Sequence, residues 1–348
     1  IIDRFPKTVN DRTWCFWEKQ TGIFESIVHH RWEKLEFFSA NYSVTLEIDP
    51  YQYKMIRGID LYAFVKKESD KHPNIEWRYG DVKSIQTVED NATVVMETES
   101  ITADYVFNSI LFNDLSVEPG EYLLLQHFKG WVIETPQPSF DSSRAVFMDF
   151  RVSQEQGTTF VYMMPTSSTT ALIEYTLFTE TVLPQKEYET TLKNYISSCL
   201  SINNYTVTHE EFGVIPMTNK TFPLQQGRII NMGIAGGQVK GSSGYAFQFI
   251  QKRTGQIVGA LIDDKEPFTQ RTLNDKKFQL YDSVLLNVLY NRKMNGDEIF
   301  ARIFQKNRPD RVLRFLDNES SLQDDLQIMR SVPSSIFLTA ALKELFFP

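Results

Sequence analysis

The first repeating feature of the chain is a set of apolar runs broken at regular intervals by turn residues. Ile1-Ile2 reads as a strand ending at Asp3 and stopped by Pro6. Asp49-Pro50 has the form of a helix start, Asp as N-cap and Pro in the first turn. In the "YQYKMIRGIDLYAFVKKES" that follows, Met55, Ile56, Ile59 and Ala63 recur at helical spacing, with lysines toward the end. Short β runs come next: "IEWRY", "VKSIQTV", "ATVVMET" and "ADYVFNSI". From Tyr122 the runs lengthen to "YLLLQHFKGWVIET", "RAVFMDFRV", "TTFVYMMP" and "ALIEYTLF", separated by Pro, Ser, Gly and Thr. These predict an antiparallel sheet and a second domain. A polar helix is expected near 186–198, after which "YTVTHEEFGVIPM" leads back toward the first domain. "GRIINMGIAGG" predicts a strand entering a glycine turn, "SSGYAFQFIQKRTGQIVGALI" a helix, and the tail from about 270 further helices.

The order matters more than any one element. A strand that ends in an acidic residue is the second strand of a dinucleotide-binding unit, about 20 residues after a glycine-rich loop. The chain opens at that strand, so the loop is expected to be absent here and the dinucleotide weakly held. Nucleotide-type elements, an inserted sheet, then a strand and glycine turn is the order of flavoproteins with an inserted substrate domain. The boundaries expected are 1–115 for the first part of the nucleotide domain, 116–212 for the inserted sheet, 213–265 for the return, and 266–348 for a helical C-terminal region.

Composition narrows this picture. The chain has 348 residues, 42% hydrophobic and 13% aromatic, with 26 Phe and 15 Tyr, so an apolar ligand site competes with a large aromatic core as the reason for the aromatics. The net charge of −8 argues against nucleic acid as a partner. Cys15 and Cys199 make no disulfide framework, and the five histidines show no ligand spacing, so no metal is expected. No apolar run approaches the ~20 residues that span a bilayer.

Four stretches, "NDRTWCFWE" (10–18), "HFKGWVIET" (127–135), "MDFRV" (148–152) with "IEYT" (173–176), and "GIAGG…SSGYAFQFIQ" (233–251), together resemble the flavin-dependent lycopene β-cyclases of carotenoid-making bacteria. The resemblance covers roughly 1–260. It implies an α/β fold: an FAD-binding, Rossmann-like (glutathione-reductase-like) domain lacking its first βα unit, an inserted antiparallel-sheet substrate domain and a helical tail. It also implies reduced FAD as cofactor, NAD(P)H as its reductant, lycopene and related carotenes as substrates, and a cytoplasmic protein held peripherally on the cytoplasmic membrane. Asp3 matches the ribose-binding acid. Arg12, Gly233, Ala235, Gly236, Gly237 and Gln238 are the further cofactor candidates. Ile234 stands where many flavoproteins have an acid after the glycine. Glu174 matches the first acid of the plant cyclases' "FLEET" motif, Tyr175 stands at the second, and Asp149 matches the family's "MD".

Ring closure needs an acid to protonate a terminal double bond and a base to remove a proton afterward. A carboxyl in an apolar pocket can do both. Glu174 shares a strand face with Leu172, Thr176 and Phe178, and both faces of its strand are largely apolar; a buried ion pair is the other reading. Alternation places Asp149 with Phe147 and Arg151, as a second acid or base, as a tuner of Glu174, or as a partner of Arg151. Trp14, Phe16, Trp17, Phe147, Leu172 and Tyr175 are the expected pocket lining, with ordinary core as the alternative for the tryptophans and Phe16. The 290–315 window holds seven Lys/Arg against three Asp/Glu, interleaved with Ile299, Phe300, Ile303 and Phe304. It fits a membrane-surface helix or an ordinary surface helix. Two rival functions stay open: a flavin monooxygenase or desaturase, and a non-catalytic carotenoid-binding remnant.

Overall fold

The computed structural model describes residues 1–112 and 115–346. Its centre is a seven-stranded sheet built from β1 (Lys34–Phe38), β2 (Ser43–Glu47), β3 (Leu123–Glu134), β4 (Arg144–Asp149), β5 (Thr158–Pro165), β6 (Thr170–Thr179) and β7 (Thr206–Thr218). Their order is β7-β3-β6-β5-β4-β1-β2. The expected antiparallel sheet is present over 123–179, but the whole is mixed, because β4 runs parallel to β1. Two strands from the first 50 residues thus complete it. The "YTVTHEEFGVIPM" run, expected to lead away, is the edge strand β7, paired with β3 along nearly its whole length.

Among the described residues there are eight α-helices: α1 (Gly58–Ser69), α2 (Gln185–Ser198), α3 (Phe247–Ile262), α4 (Leu273–Tyr290), α5 (Gly296–Lys306), α6 (Pro309–Leu316), α7 (Leu322–Ser331) and α8 (Ser334–Phe346). One sheet face packs Trp131, Val161, Ile173 and Tyr175 against Tyr188, Leu192, Tyr195 and Ile196 of α2. The other buries Phe147, Phe160, Tyr162 and Leu172 with the C-terminal helices and with Trp17 and Tyr53.

Residues 52–57 correct the helix expected from 51. Gln52–Arg57 is the central strand of a three-stranded sheet, antiparallel to Thr13–Glu18 and to His30–Trp32. The helix begins only at Gly58, whose N–H donates to the Arg12 carbonyl at 2.8 Å. Tyr53, Lys54, Met55 and Ile56 are all buried, so the segment shows no period of two, and strand pairing overrides its helical spacing. Lys54 is buried because two carboxylates meet it, Glu18 at 2.8 Å and Glu25 at 2.5 Å.

Two parallel pairs lie outside the central sheet: Ile2–Asp3 with Arg78–Tyr79, and Val106–Asn108 with Ile229–Asn231. Parallel pairing of this kind is the signature of the nucleotide-binding part of the fold. The basic window splits into α5 and α6. Its apolar stripe faces inward: Phe300 stacks on Phe150 at 5.9 Å and Phe304 lies 5.0 Å from Phe37. Those side chains are core and are not available to a membrane. Among the described residues, no helix is long and apolar enough to cross one.

Candidate functional site

Register brings together a row of side chains that are distant in sequence. Glu174 on β6 pairs across to Tyr162 of β5 on one side and Gly130 of β3 on the other. Gly130 in turn pairs with Glu211 of β7. Gly130 has no side chain, so the two carboxylates approach over it. A Cβ at 130 would fall 3.0 Å from Glu211 Cγ and 3.0 Å from Leu172 Cδ1. Glycine within a strand is otherwise unfavourable, and here it keeps open the space in which the acids meet.

Both carboxyl groups are buried, and they are close enough to influence one another's protonation. Burial pushes the Glu174 carboxyl well above the usual range, and the neighbouring Glu211 pushes it further. Burial also raises Glu211, but Thr13, Glu174 and the nearby His209 moderate the rise. Of the two, Glu174 is the group more strongly favoured in its protonated form. Thr176 Oγ1 donates to Glu174 at 3.0 Å and Thr13 Oγ1 donates to Glu211 at 2.8 Å, which fixes both groups.

The strand Thr13–Glu18 lies over this row. Its alternation sends Thr13 and Cys15 toward the acids and Trp17 toward Phe147 and Tyr245. Trp14 and Phe16 go the other way, onto Phe247 of α3. The three aromatics of "TWCFW" thus face two different ways, Trp17 into one hydrophobic cluster and Trp14 and Phe16 into another. Beside the acids stands an aromatic wall. Tyr162 and Tyr245 face each other, oxygen to oxygen, at 3.4 Å, and Phe147 lies at 6.2 Å from Tyr162 and 6.4 Å from Tyr245. Burial raises the phenols of Tyr53, Tyr162 and Tyr245, so they remain neutral.

Other expected site residues lie elsewhere. A register shift between Val146 and Asp149 breaks the alternation that grouped Asp149 with Phe147. Phe147 packs on the face of Leu172 and Tyr162, whereas Asp149 faces α2. There it accepts a two-pronged bond from Arg151, Nε at 2.9 Å and Nη2 at 2.6 Å, and a third from Tyr195 at 2.7 Å. It ties β4 to α2, in the arrangement of the Arg151 reading. Tyr175, next to Glu174 in sequence, also points to the α2 side, while Leu172 lies on the Glu174 face. His127 is a satisfied core residue, bonded to Thr179 and Tyr188, and burial lowers it to about 4.

Among the cofactor candidates, Asp3 and Arg12 gather near the start of α1. The Arg12 guanidinium is held by Asp11 at 3.0 Å and feels Asp3 and Tyr62. Gly233 and Gly237 have φ of 58° and 66°, which suit glycine, and a Cβ on Gly236 would strike the Asn231 carbonyl at 2.3 Å. The turn is closed on itself. Gly233 N–H donates to the Gln238 side chain at 2.8 Å, and Gln238 N–H donates to the Gly233 carbonyl at 2.8 Å. It does not open the helix directly, because α3 starts nine residues after Gln238, at Phe247. Open donors lie around the start of α3: its N-cap residue, Ala246, contributes no side-chain bond, and Trp14 Nε1, whose ring packs on Phe247, and Ser243 Oγ are buried without partners.

Residues 1–342 match the lycopene cyclase protein family. The chain belongs to that family. No curated protein sequence matches it. Solved structures similar to it include HpxO of Klebsiella pneumoniae in complex with FAD and uric acid (TM-score 0.65, 11% identity, 91% of this chain and 89% of that one). A geranylgeranyl bacteriochlorophyll reductase-like protein of Thermoplasma acidophilum matches with TM-score 0.55 and 10% identity over 99% of this chain and 88% of that one. The flavin-dependent brominase Bmp2 gives TM-score 0.54 at 9% identity, over 85% and 78% of the two chains. At such identities the likeness is one of fold, and the fold of this lycopene cyclase family member is that of FAD-binding enzymes.

Glu211, Gly130, Cys15 and the tyrosines at 53, 162 and 245 were not singled out from sequence. One signal was available for Gly130, a glycine inside a long apolar strand, which marks close approach of another group.

Proposed function

We propose that this chain is a lycopene β-cyclase, carrying out acid-initiated, redox-neutral closure of the linear ends of lycopene to β-rings. The observation that supports this most is the buried Glu174 beside the buried Glu211, next to an aromatic wall, an environment that favours the protonated carboxyl. Glu174 delivers a proton to the terminal C1–C2 double bond, at C2, leaving a tertiary cation at C1. The C5–C6 double bond attacks C1, which closes the ring and moves the cation to C5. The Glu174 carboxylate then takes the proton from C6, so the acid is restored and no electrons are consumed. The faces of Phe147, Tyr162 and Tyr245 suit the passing positive charge. Burial excludes water that would otherwise trap it.

The residues fit FAD. Asp3 would take the ribose hydroxyls, and the first turn of α3 with Trp14 Nε1 and Ser243 Oγ offers donors to the acceptor atoms of the flavin nucleotide. Reduced by NAD(P)H, the bound cofactor would supply negative charge that stabilises a cation.

The test is to express the protein in a lycopene-accumulating bacterium and analyse the pigments. γ- or β-carotene of unchanged mass is expected. Products heavier by oxygen or lighter by hydrogen would assign a monooxygenase or a desaturase instead, and unchanged lycopene would favour a carotenoid-binding protein.

Contact with the membrane that holds the substrate falls to α8, where Leu338, Leu342, Leu345 and Phe346 are exposed. A buried Leu contributes about 1.5–3 kcal/mol. Leu338→Glu with Leu342→Glu should therefore weaken co-sedimentation with phospholipid vesicles by at least about tenfold. Undiminished pelleting would take α8 out of the membrane contact.

A further inference from the structure

Helix α3 has two working sides. Phe247 packs on Trp14 and Phe16, whereas Phe249, Arg253 and Gln256 face the opposite way, into a cavity of about 320 Å³. Segments 216–224, 234–241 and 317–319 and the start of α4 close its other walls, so the glycine turn with Gly236, Gly237 and Gln238 forms one of them. Arg253 is 8% exposed, yet its Nε and Nη2 have no hydrogen-bond partner. Arg271 also lines the cavity and spends one nitrogen on the Phe222 carbonyl at 2.5 Å. Burial first, and then the like charge of Arg271, weaken the hold of Arg253 on its proton, and only Asp275 opposes them. A guanidinium nevertheless stays charged.

The carboxylates in the wall are engaged elsewhere. Asp282 accepts from Lys240 at 2.8 Å and from Ser242 at 2.6 Å. Glu319 pairs with Lys252 at 2.8 Å, and Asp317 lies 3.7 Å from the same ammonium. Asp275 caps α4, accepting from Thr272 N–H at 2.7 Å. What remains is a buried cationic fork with open donors, beside a second guanidinium. Such a charge is costly unless an anion meets it. Two mutually repelling guanidiniums favour a ligand with more than one negative charge, and the planar fork matches phosphate oxygens.

We propose that this cavity is a binding site for a phosphate group, held by Arg253 and flanked by Arg271. The space beyond the two arginines accommodates a phosphate carried on a larger molecule, either a soluble phosphate ester or a phospholipid headgroup. The site is separate from the two acids but shares the glycine turn with the candidate cofactor residues; phosphate binding that persists in the flavin-loaded protein sets it apart from the cofactor's own phosphates.

The experiment compares wild type, Arg253→Gln and Arg271→Gln in thermal unfolding and calorimetry, with inorganic phosphate titrated against chloride at constant ionic strength. Wild type should show a saturable rise in Tm with phosphate, as expected for a ligand of the native state. Each variant should bind phosphate at least about tenfold more weakly, one factor of ten being about 1.4 kcal/mol. Without phosphate, Arg253→Gln should melt at or above wild type, since it removes an unpaired buried charge. No saturable rise in wild type at millimolar phosphate, or a full rise retained in Arg253→Gln, would overturn the proposal. Arg271→Gln keeps the test decisive if Arg253→Gln fails to fold. Vesicles of phosphatidylcholine with and without phosphatidic acid separate the sources. Pelleting that depends on phosphatidic acid and is competed by inorganic phosphate assigns a headgroup, and its absence assigns a soluble ester.

Discussion

Replacing Glu174 with Gln is expected to reduce ring formation by about 10²–10⁴-fold, the usual contribution of a general acid, or more, because here the proton starts the reaction. The substitution suits this site. In the native protein Glu174 accepts a bond from Thr176 and sits beside Glu211, which helps to hold its carboxyl protonated. A glutamine keeps an oxygen for Thr176 and presents a neutral amide to Glu211. It reproduces the shape and bonds of the protonated acid but has no proton to give to an alkene. Circular dichroism and flavin absorbance should therefore match wild type while pigment conversion stops. If the variant keeps more than about a tenth of the wild-type rate, less than the low end of that range, Glu174 is not the donor. Asp149→Asn is the contrasting case. It disturbs the junction of β4 with α2 through Arg151 and Tyr195, so it should lower Tm and leave the proton chemistry in place.

Glu174 was legible in the sequence for a physical reason: a carboxylate on a strand with two apolar faces has no route to water. The strands from 123 to 179 were legible because long runs bounded by turn residues have few other solutions. Glu211 was not. It lies on an edge strand whose polar positions read as ordinary solvent exposure, and its meeting with Glu174 depends on the register of β6, β3 and β7. Residues 52–57 were misread because a strand buried on both faces loses the alternation that identifies it. The position of Asp149 turned on a bulge, and one irregular residue is enough to reverse the face of those after it. The stripe of α5 is the same whether it faces a core or a lipid surface, so periodicity alone could not decide between them.

Glu211→Gln is expected to move the alkaline limb of the pH–rate profile to lower pH, while rates at acidic pH stay near those of wild type. Burial is the largest cause of the high pKa of Glu174, and it persists in the variant, but the second cause, the charge of Glu211, disappears. Glu174 then loses its proton at lower pH. Above the new limb the rate should fall about tenfold for each unit of displacement, since one unit corresponds to 1.36 kcal/mol. Stability should respond in a linked way. A carboxyl whose folded-state pKa is raised binds its proton more tightly in the native state than in the unfolded chain, so its contribution is complete below the ordinary carboxylate range and is lost as pH rises through the folded value. Wild type should accordingly lose Tm between acidic and alkaline pH. Glu211→Gln should lose less, because one raised carboxyl is gone and the other is raised by less. The glutamine keeps an oxygen for Thr13, which separates this effect from the loss of that bond. A purely structural Glu211 would lower Tm at every pH and scale kcat down uniformly. Two parallel pH–rate profiles would remove Glu211 from the control of the acid and leave burial alone to keep Glu174 protonated.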